Sequence, residues 1–166
     1  MQFGAGDRHF NTVHEASNIR FGGGLDDVYQ NSKTGQLHIV DYKSTAQGTR
    51  SPDKYERKPV SLDEPWKTGY KRQMDMYVWI MRRKGFEVSS TGYFLYCDGD
   101  RFSDYEFLRL DEAMMKFKMS LIAYEANTNW IEPTLMQIKE CLFSDNMPEH
   151  HANCEHGQFL DAVGCI

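Results

Sequence analysis

No run of apolar residues in this 166-residue chain approaches the length of about 18 that a membrane-spanning helix requires. A mean hydropathy of −0.63 points the same way. Residues 1–10, MQFGAGDRHF, contain no basic segment leading into an apolar one, so no secretory signal is expected and the protein reads as cytoplasmic, with no membrane partner. Internal repeats and low-complexity tracts are absent. Basic residues are not in excess: 19 Lys and Arg against 24 Asp and Glu give a net charge of −5, which confines any groove for a polyanion to a local patch. No cysteine precedes Cys97. Cys141, Cys154 and Cys165 sit in a C-terminal stretch with His150, His151 and His156, and in a cytosolic chain such a cluster suggests a metal rather than disulfides.

What is present suffices for a packed core. Hydrophobic residues make up 40% of the chain and aromatics 13%. The length fits one domain over 1–166, with a polar Cys- and His-containing tail from about residue 141.

Residues 1–18 show no periodicity and read as a loop, in which His9, His14 and Glu15 are either ligands or solvated polar groups. Residues 19–30 read as a strand interrupted by Gly22-Gly23-Gly24, the mark of a bulge or of a close backbone approach. The Asn31–Gly35 turn and a second strand from Leu37 to Tyr42 or Ser44 complete a hairpin. Residues 45–65 are a polar excursion carrying Arg50, Lys54, Arg57 and Lys58, either a flap over a polyanion or a solvated loop. Apolar residues at three- and four-residue steps predict a helix over 66–84, led in by Pro65 and ended by Gly85, with Gln73 and Tyr77 on one face. Residues 88–97 read as a strand, 98–100 as a tight turn and 102–110 as the returning strand. Helices are expected over 112–126, capped by Asp111, and over 130–141, with a tail from 145. The order β-β-α-β-β-α makes an α/β (α+β) domain with one mixed sheet.

The chemistry is concentrated in FGGGLDDVYQNSKTGQLHIVDYKSTAQ, residues 21–47. Period two puts Asp41 and Lys43 on one face of their strand, with Tyr42 opposite. If a twist at the glycines brings Asp26 to them, two hard carboxylates gather that suit Mg²⁺ or Mn²⁺. Such a metal lowers the pKa of a bound water and stabilises charge on a phosphoryl oxygen, while Lys43 positions the water or counters the charge. The plain alternative is an acid pair at a turn edge and a same-face ion pair on an exposed strand.

The ordered set Gly23-Gly-Leu-Asp26, Ile39-Val-Asp41-Tyr-Lys43 and Gln73-Met-Asp-Met-Tyr77 resembles the PD-(D/E)xK nuclease superfamily in its RecB-like branch, over about residues 20–80. That branch includes the nuclease domains of RecB-type helicase-nucleases and the CRISPR-associated RecB-like exonucleases. The resemblance implies a restriction-endonuclease-like core, a mixed sheet flanked by helices, and a metal-dependent DNA nuclease. It implies metal ligation by Asp26, Asp41 and the backbone carbonyl of Tyr42, a catalytic Lys43, and a Gln73/Tyr77 pair that contacts DNA and braces the site. Phosphate contacts are expected from Arg50, Lys54, Arg57, Lys58, Lys67, Lys71, Arg72 and Gln73. A catalytically impaired nucleic-acid-binding or assembly module, or a place in a larger DNA-processing complex, is the alternative use of the same fold.

The chain departs from the family pattern in two places. The family usually carries an upstream helix whose His or Glu completes the metal site; 25 residues precede Asp26 here, and His14 or Glu15 is the substitute at hand. The 4Fe-4S pattern of some relatives needs an early cysteine and a late C-x-x-C, whereas the sequence here reads Cys154-Glu-His-Gly157. A Zn²⁺ site from Cys141, Cys154 and His156 or its neighbours is open on ligand type, though its spacing matches no standard finger. Reduced cysteines in a polar tail are the simpler reading.

Overall fold

A computed structural model of the chain describes residues 10–46, 49–51, 54–56, 59–100, 110–112, 114–146 and 148–164, with backbone alone at 49–51 and 54–56. It opens with strands β1 (Phe10–His14) and β2 (Ile19–Gly23), an antiparallel hairpin in which Phe10 faces Gly23. Strands β3 (Asp27–Gln30) and β4 (Leu37–Thr45) form a second hairpin. Asn31 Oδ1 accepts from the amides of Lys33 and Thr34 in its turn, and Gly35 supplies the φ of 76° that the turn needs. Strands β5 (Thr49–Ser51) and β6 (Lys54–Glu56) pair as a small third hairpin.

A 3-10 turn, Pro65–Lys67, leads into helix α1 (Thr68–Arg83), which stops where Gly85 takes a φ of 85°. This helix is the crossover that allows β7 (Thr91–Gly99) to lie parallel to β4. Strand β8 (Phe117–Glu125) returns antiparallel to β7 over nine residues, and helices α2 (Ile131–Leu142) and α3 (Glu155–Ala162) follow. The result is a mixed α/β fold whose central sheet runs β3-β4-β7-β8. No helix among the described residues is long and apolar enough to cross a membrane.

Helix α1 is buried from two sides. Met74, Tyr77, Val78 and Met81 pack on Leu37, Ile39, Phe94 and Tyr96 of the sheet. Trp79 and Ile80 pack on Ile131 and Leu135 of α2, flanked by Phe10, Ile19 and Phe21 of the first hairpin. Each such side chain contributes about 1.5–3 kcal/mol on burial. Asp75, 4% exposed, ties the helix to its surroundings. Its carboxylate accepts from Tyr124 Oη at 3.1 Å, the Asn127 amide at 2.9 Å and Trp130 Nε1 at 2.9 Å. The sheet face away from α1 leaves Tyr29, Tyr42, Phe117, Met119 and Leu121 exposed.

Five expectations are corrected. The stretch 112–126 is not a helix: Met, Lys, Leu and Ala favour helix locally, but nine residues of pairing with β7 decide for strand. The β7 strand runs through Asp98 and Gly99, so no tight turn ends it there, and the expected returning strand at 102–110 falls almost wholly outside the described residues. The run 19–30 is two strands separated by a bend, and residues 10–14, expected in a loop, pair with the first of them. The tail carries α3, capped by Cys154, whose Sγ accepts from the Gly157 amide at 3.4 Å.

Candidate active site

The apolar run before Asp41 drives β4 into the core, and period two carries Asp41 and Lys43 onto the face that meets α1. Asp41 is 2% exposed. Asp26 lies in the bend between β2 and β3, where its Oδ2 accepts from the Tyr42 amide at 2.8 Å. That bond seats the Asp26 carboxylate against Asp41. The neighbouring Asp27 turns elsewhere, accepting from Tyr42 Oη at 2.6 Å and from the Val28 amide at 2.8 Å. Those bonds hold the Asp27 carboxyl below the usual carboxylate range, and they raise the Tyr42 phenol in turn. A hollow of about 320 Å³ opens beside Asp26 and Leu25.

Burial pushes the Asp41 carboxyl up, Lys43 pulls it back down, and the adjacent Asp26 carboxylate adds to the rise. Asp41 Oδ2 touches Lys43 Nζ but makes no well-aligned hydrogen bond. Two apposed carboxylates, one of them buried against an ammonium, form a donor set that a hard divalent cation fits.

Lys43 is held on three sides. Besides Asp41, its Nζ donates to Gln73 Oε1 at 3.2 Å and lies over the Tyr70 ring at 4.7 Å. Gln73 Nε2 in turn donates to Tyr77 Oη at 2.6 Å. A polar chain thus runs Asp41–Lys43–Gln73–Tyr77 from the sheet onto α1. One of the three glycines serves it, and another is closed in by β1. A Cβ on Gly22 would stand 2.6 Å from Asn11 Cβ, and one on Gly23 would stand 2.7 Å from Tyr77 Cε1, whereas Gly24 has nothing within 4 Å.

The structure brings Asp26, Asp41, Tyr42, Lys43, Gln73 and Tyr77 together and sets others apart. His14 is buried on the far side of α1: Nδ1 bonds Ser17 Oγ at 2.8 Å, and the ring packs on Trp79. Glu15 pairs with Arg83 Nη2 at 2.5 Å. Neither completes the carboxylate pair, and among the described residues no three His, Cys, Asp or Glu side chains gather to hold a metal. The open Cys141, Cys154 and His156 set does not gather among the described residues: Cys141 lies in α2 and Cys154 caps α3. The nearby His150 bonds Asp161 Oδ2 at 2.7 Å, and its pKa is raised by the His151 carbonyl first and by Asp161 second. Cys165 lies outside the described residues.

Lys67 corrects the list of phosphate contacts. It is wholly buried, donating to the Ser61 carbonyl at 2.6 Å and pairing with Glu64 Oε2 at 2.9 Å. The Lys67 ammonium, followed by local backbone bonds, keeps the Glu64 carboxyl low. Lys71 and Arg72 remain on the surface, lining with Thr68, Trp130 and Thr134 a groove of about 500 Å³. Arg50 lies in β5 and Lys54 in β6, while Arg57 and Lys58 lie outside the described residues.

Two site residues escaped the sequence reading. Tyr70 lies three residues before Gln73 on the same helical stripe, so spacing alone could have found it. Tyr96 had no such signal. It faces Lys43 across the parallel β4–β7 register. Its buried hydroxyl has no hydrogen-bond partner among the described residues, and its pKa is pushed up to about 12 by burial, then by Tyr70, Glu64 and Asp41.

The family model of the PD-(D/E)XK nuclease superfamily matches residues 1–159. No curated protein and no solved structure matches the chain.

Proposed function

The chain belongs to the PD-(D/E)XK nuclease superfamily, and we propose that it is a metal-dependent deoxyribonuclease of the RecB-like kind, hydrolysing phosphodiester bonds at the Asp26–Asp41–Lys43 centre. The observation that carries this reading is the apposition of Asp26 and Asp41 beside an ammonium that Gln73 and Tyr70 hold in place.

Asp26, Asp41 and the Tyr42 carbonyl would hold Mg²⁺ or Mn²⁺, which supplies Lewis-acid stabilisation of a phosphoryl oxygen and a more acidic water. The Tyr42 carbonyl is supported by strand geometry. Leu37 makes both its backbone bonds toward the β7 side, to Glu87 and Ser89, so odd-numbered residues of β4 point that way and even-numbered ones point to Asp26. The Tyr42 amide indeed meets Asp26. Lys43 carries positive charge to the place where the phosphorane develops negative charge, and it lies within reach to orient the attacking water. Gln73 fixes the direction of that ammonium, and Tyr77 fixes Gln73. Lys71 and Arg72 supply backbone contacts to the strand.

The test is cleavage of single- and double-stranded DNA with Mg²⁺ or Mn²⁺, run beside Asp41→Ala and Lys43→Ala. Metal-dependent cleavage that both substitutions abolish is the expected result. A folded wild type inert with both metals sinks the catalytic reading. It would favour the second one, a binding module without cleavage, for which the observation is that His14 and Glu15 are engaged away from the carboxylate pair.

A further inference from the structure

Trp66 stands at the entrance to α1 with 58% of its surface in solvent. Its ring is nonetheless held. Tyr70, one helical turn on, meets it edge to face at 5.7 Å and 81°. Lys67 Nζ lies over the ring at 4.9 Å. Lys67 is in turn anchored by Ser61 and Glu64. Even so, more than half of the residue's surface faces solvent. A rigid indole facing water is a poor choice for stability alone, but it is preorganised to receive a flat partner at little entropic cost.

The position of this indole identifies the partner. Tyr70 touches Trp66 and also carries Lys43 Nζ over its ring at 4.7 Å. Trp66, Tyr70 and Lys43 therefore form a continuous run from solvent to the candidate catalytic ammonium. An exposed aromatic plane in line with an ammonium that suits a phosphate is the chemistry of single-strand recognition, where each base offers a π-face and each linkage a negative charge.

We propose that Trp66 is a stacking platform for an unpaired nucleobase adjoining the scissile phosphate, so that the substrate is single-stranded or frayed nucleic acid. This deepens the nuclease reading and rests on it for the scissile phosphate. Inside an intact duplex both faces of every base are already stacked, so away from the ends the platform serves only a base that has left the helix.

Binding is measured by fluorescence anisotropy in EDTA, where metal-dependent cleavage cannot intervene. The probes are a thymidine oligonucleotide, an abasic deoxyribose-phosphate strand of the same length, and a duplex. The wild type is expected to favour the thymidine strand over the abasic one by about tenfold. Trp66→Ala should bind both at the abasic level, and Trp66→Phe should keep most of the preference. Equal affinity of the wild type for both strands, a Trp66→Ala variant that still prefers thymidine, or no binding to any probe overturns the platform. The comparison of strands on the wild type needs no variant to fold. A wild type with base-dependent, Trp66-dependent binding that cleaves with neither Mg²⁺ nor Mn²⁺ defeats the catalytic reading and leaves the platform standing.

Discussion

Gly23 lies against the ring of Tyr77: a Cβ there would stand 2.7 Å from Tyr77 Cε1 and 3.3 Å from its hydroxyl. That hydroxyl accepts from Gln73, which accepts from Lys43. The glycine on β2 therefore sets how far the phenol advances toward the site. Gly23→Ala is expected to cost about 1–3 kcal/mol by overpacking and to lower turnover with it. Gly24→Ala, with open space around it, should change neither. Thermal melts and initial rates of the two variants check this, and equal losses in both would show that the glycines act as a hinge rather than through the Tyr77 contact.

The carboxylate pair makes folding and metal binding compete for the same charges. In metal-free buffer the buried Asp41 carboxylate is desolvated and faces the exposed Asp26 carboxylate, so Asp41→Asn should leave the metal-free protein at least as stable as the wild type. Saturation with Mn²⁺ at about a hundred times its Kd should stabilise the wild type by about 2.7 kcal/mol, a rise of roughly 5–10 °C in Tm, and the variant by almost nothing. Differential scanning fluorimetry across a Mn²⁺ series reads both effects.

Lys67 and the pair Lys71 and Arg72 are predicted to fail in different ways. Lys71→Ala and Arg72→Ala should each lower the salt slope of nucleic-acid binding by about 1, with the fold intact. Lys67→Met should leave that slope unchanged. It should instead cost about 1–3 kcal/mol, below the usual loss for a fully buried pair because Glu64 is partly exposed. Affinity measured over a range of KCl, beside chemical denaturation, separates the two. A changed slope in Lys67→Met would return this residue to the phosphate contacts.

Asp75 satisfies three donors from β8, the loop after it and Trp130. Asp75→Ala strands all three around a buried gap, and a loss of about 3 kcal/mol or more is expected, with Asp75→Asn losing less. Urea denaturation measures it. A loss under about 1 kcal/mol would mean that the edge strand and α2 dock without this carboxylate.

What could be read in advance follows the range of the interactions. The stripe of α1, the hairpin turn at Asn31–Gly35 and the shared face of Asp41 and Lys43 depend on residues a few positions apart, and the chain spells them out. Strand β8 does not. FKMSLIAYE carries helix-favouring residues, and only the partner nearly twenty residues back, with its own need for an edge neighbour, makes it extended. Lys67 looked like one more surface cation in a basic stretch; its burial depends on Tyr96, brought in by a crossover that no local pattern announces. His14 looked available for a metal because nothing nearby in sequence reveals that Trp79 covers it.

Strand β4 pairs with β3 only from Leu37 to Val40, whereas its pairing with β7 runs from Val40 to Thr45. Asp41 thus falls where β3 stops and a carboxylate takes over its role, for the Tyr42 amide bonds Asp26 in place of a neighbouring strand. That one amide proton becomes a local clock. Its exchange with deuterated solvent reports how long Asp26 stays seated, independently of any turnover, while the amide of His38, which points to β3 inside the paired stretch, times the opening of the sheet itself.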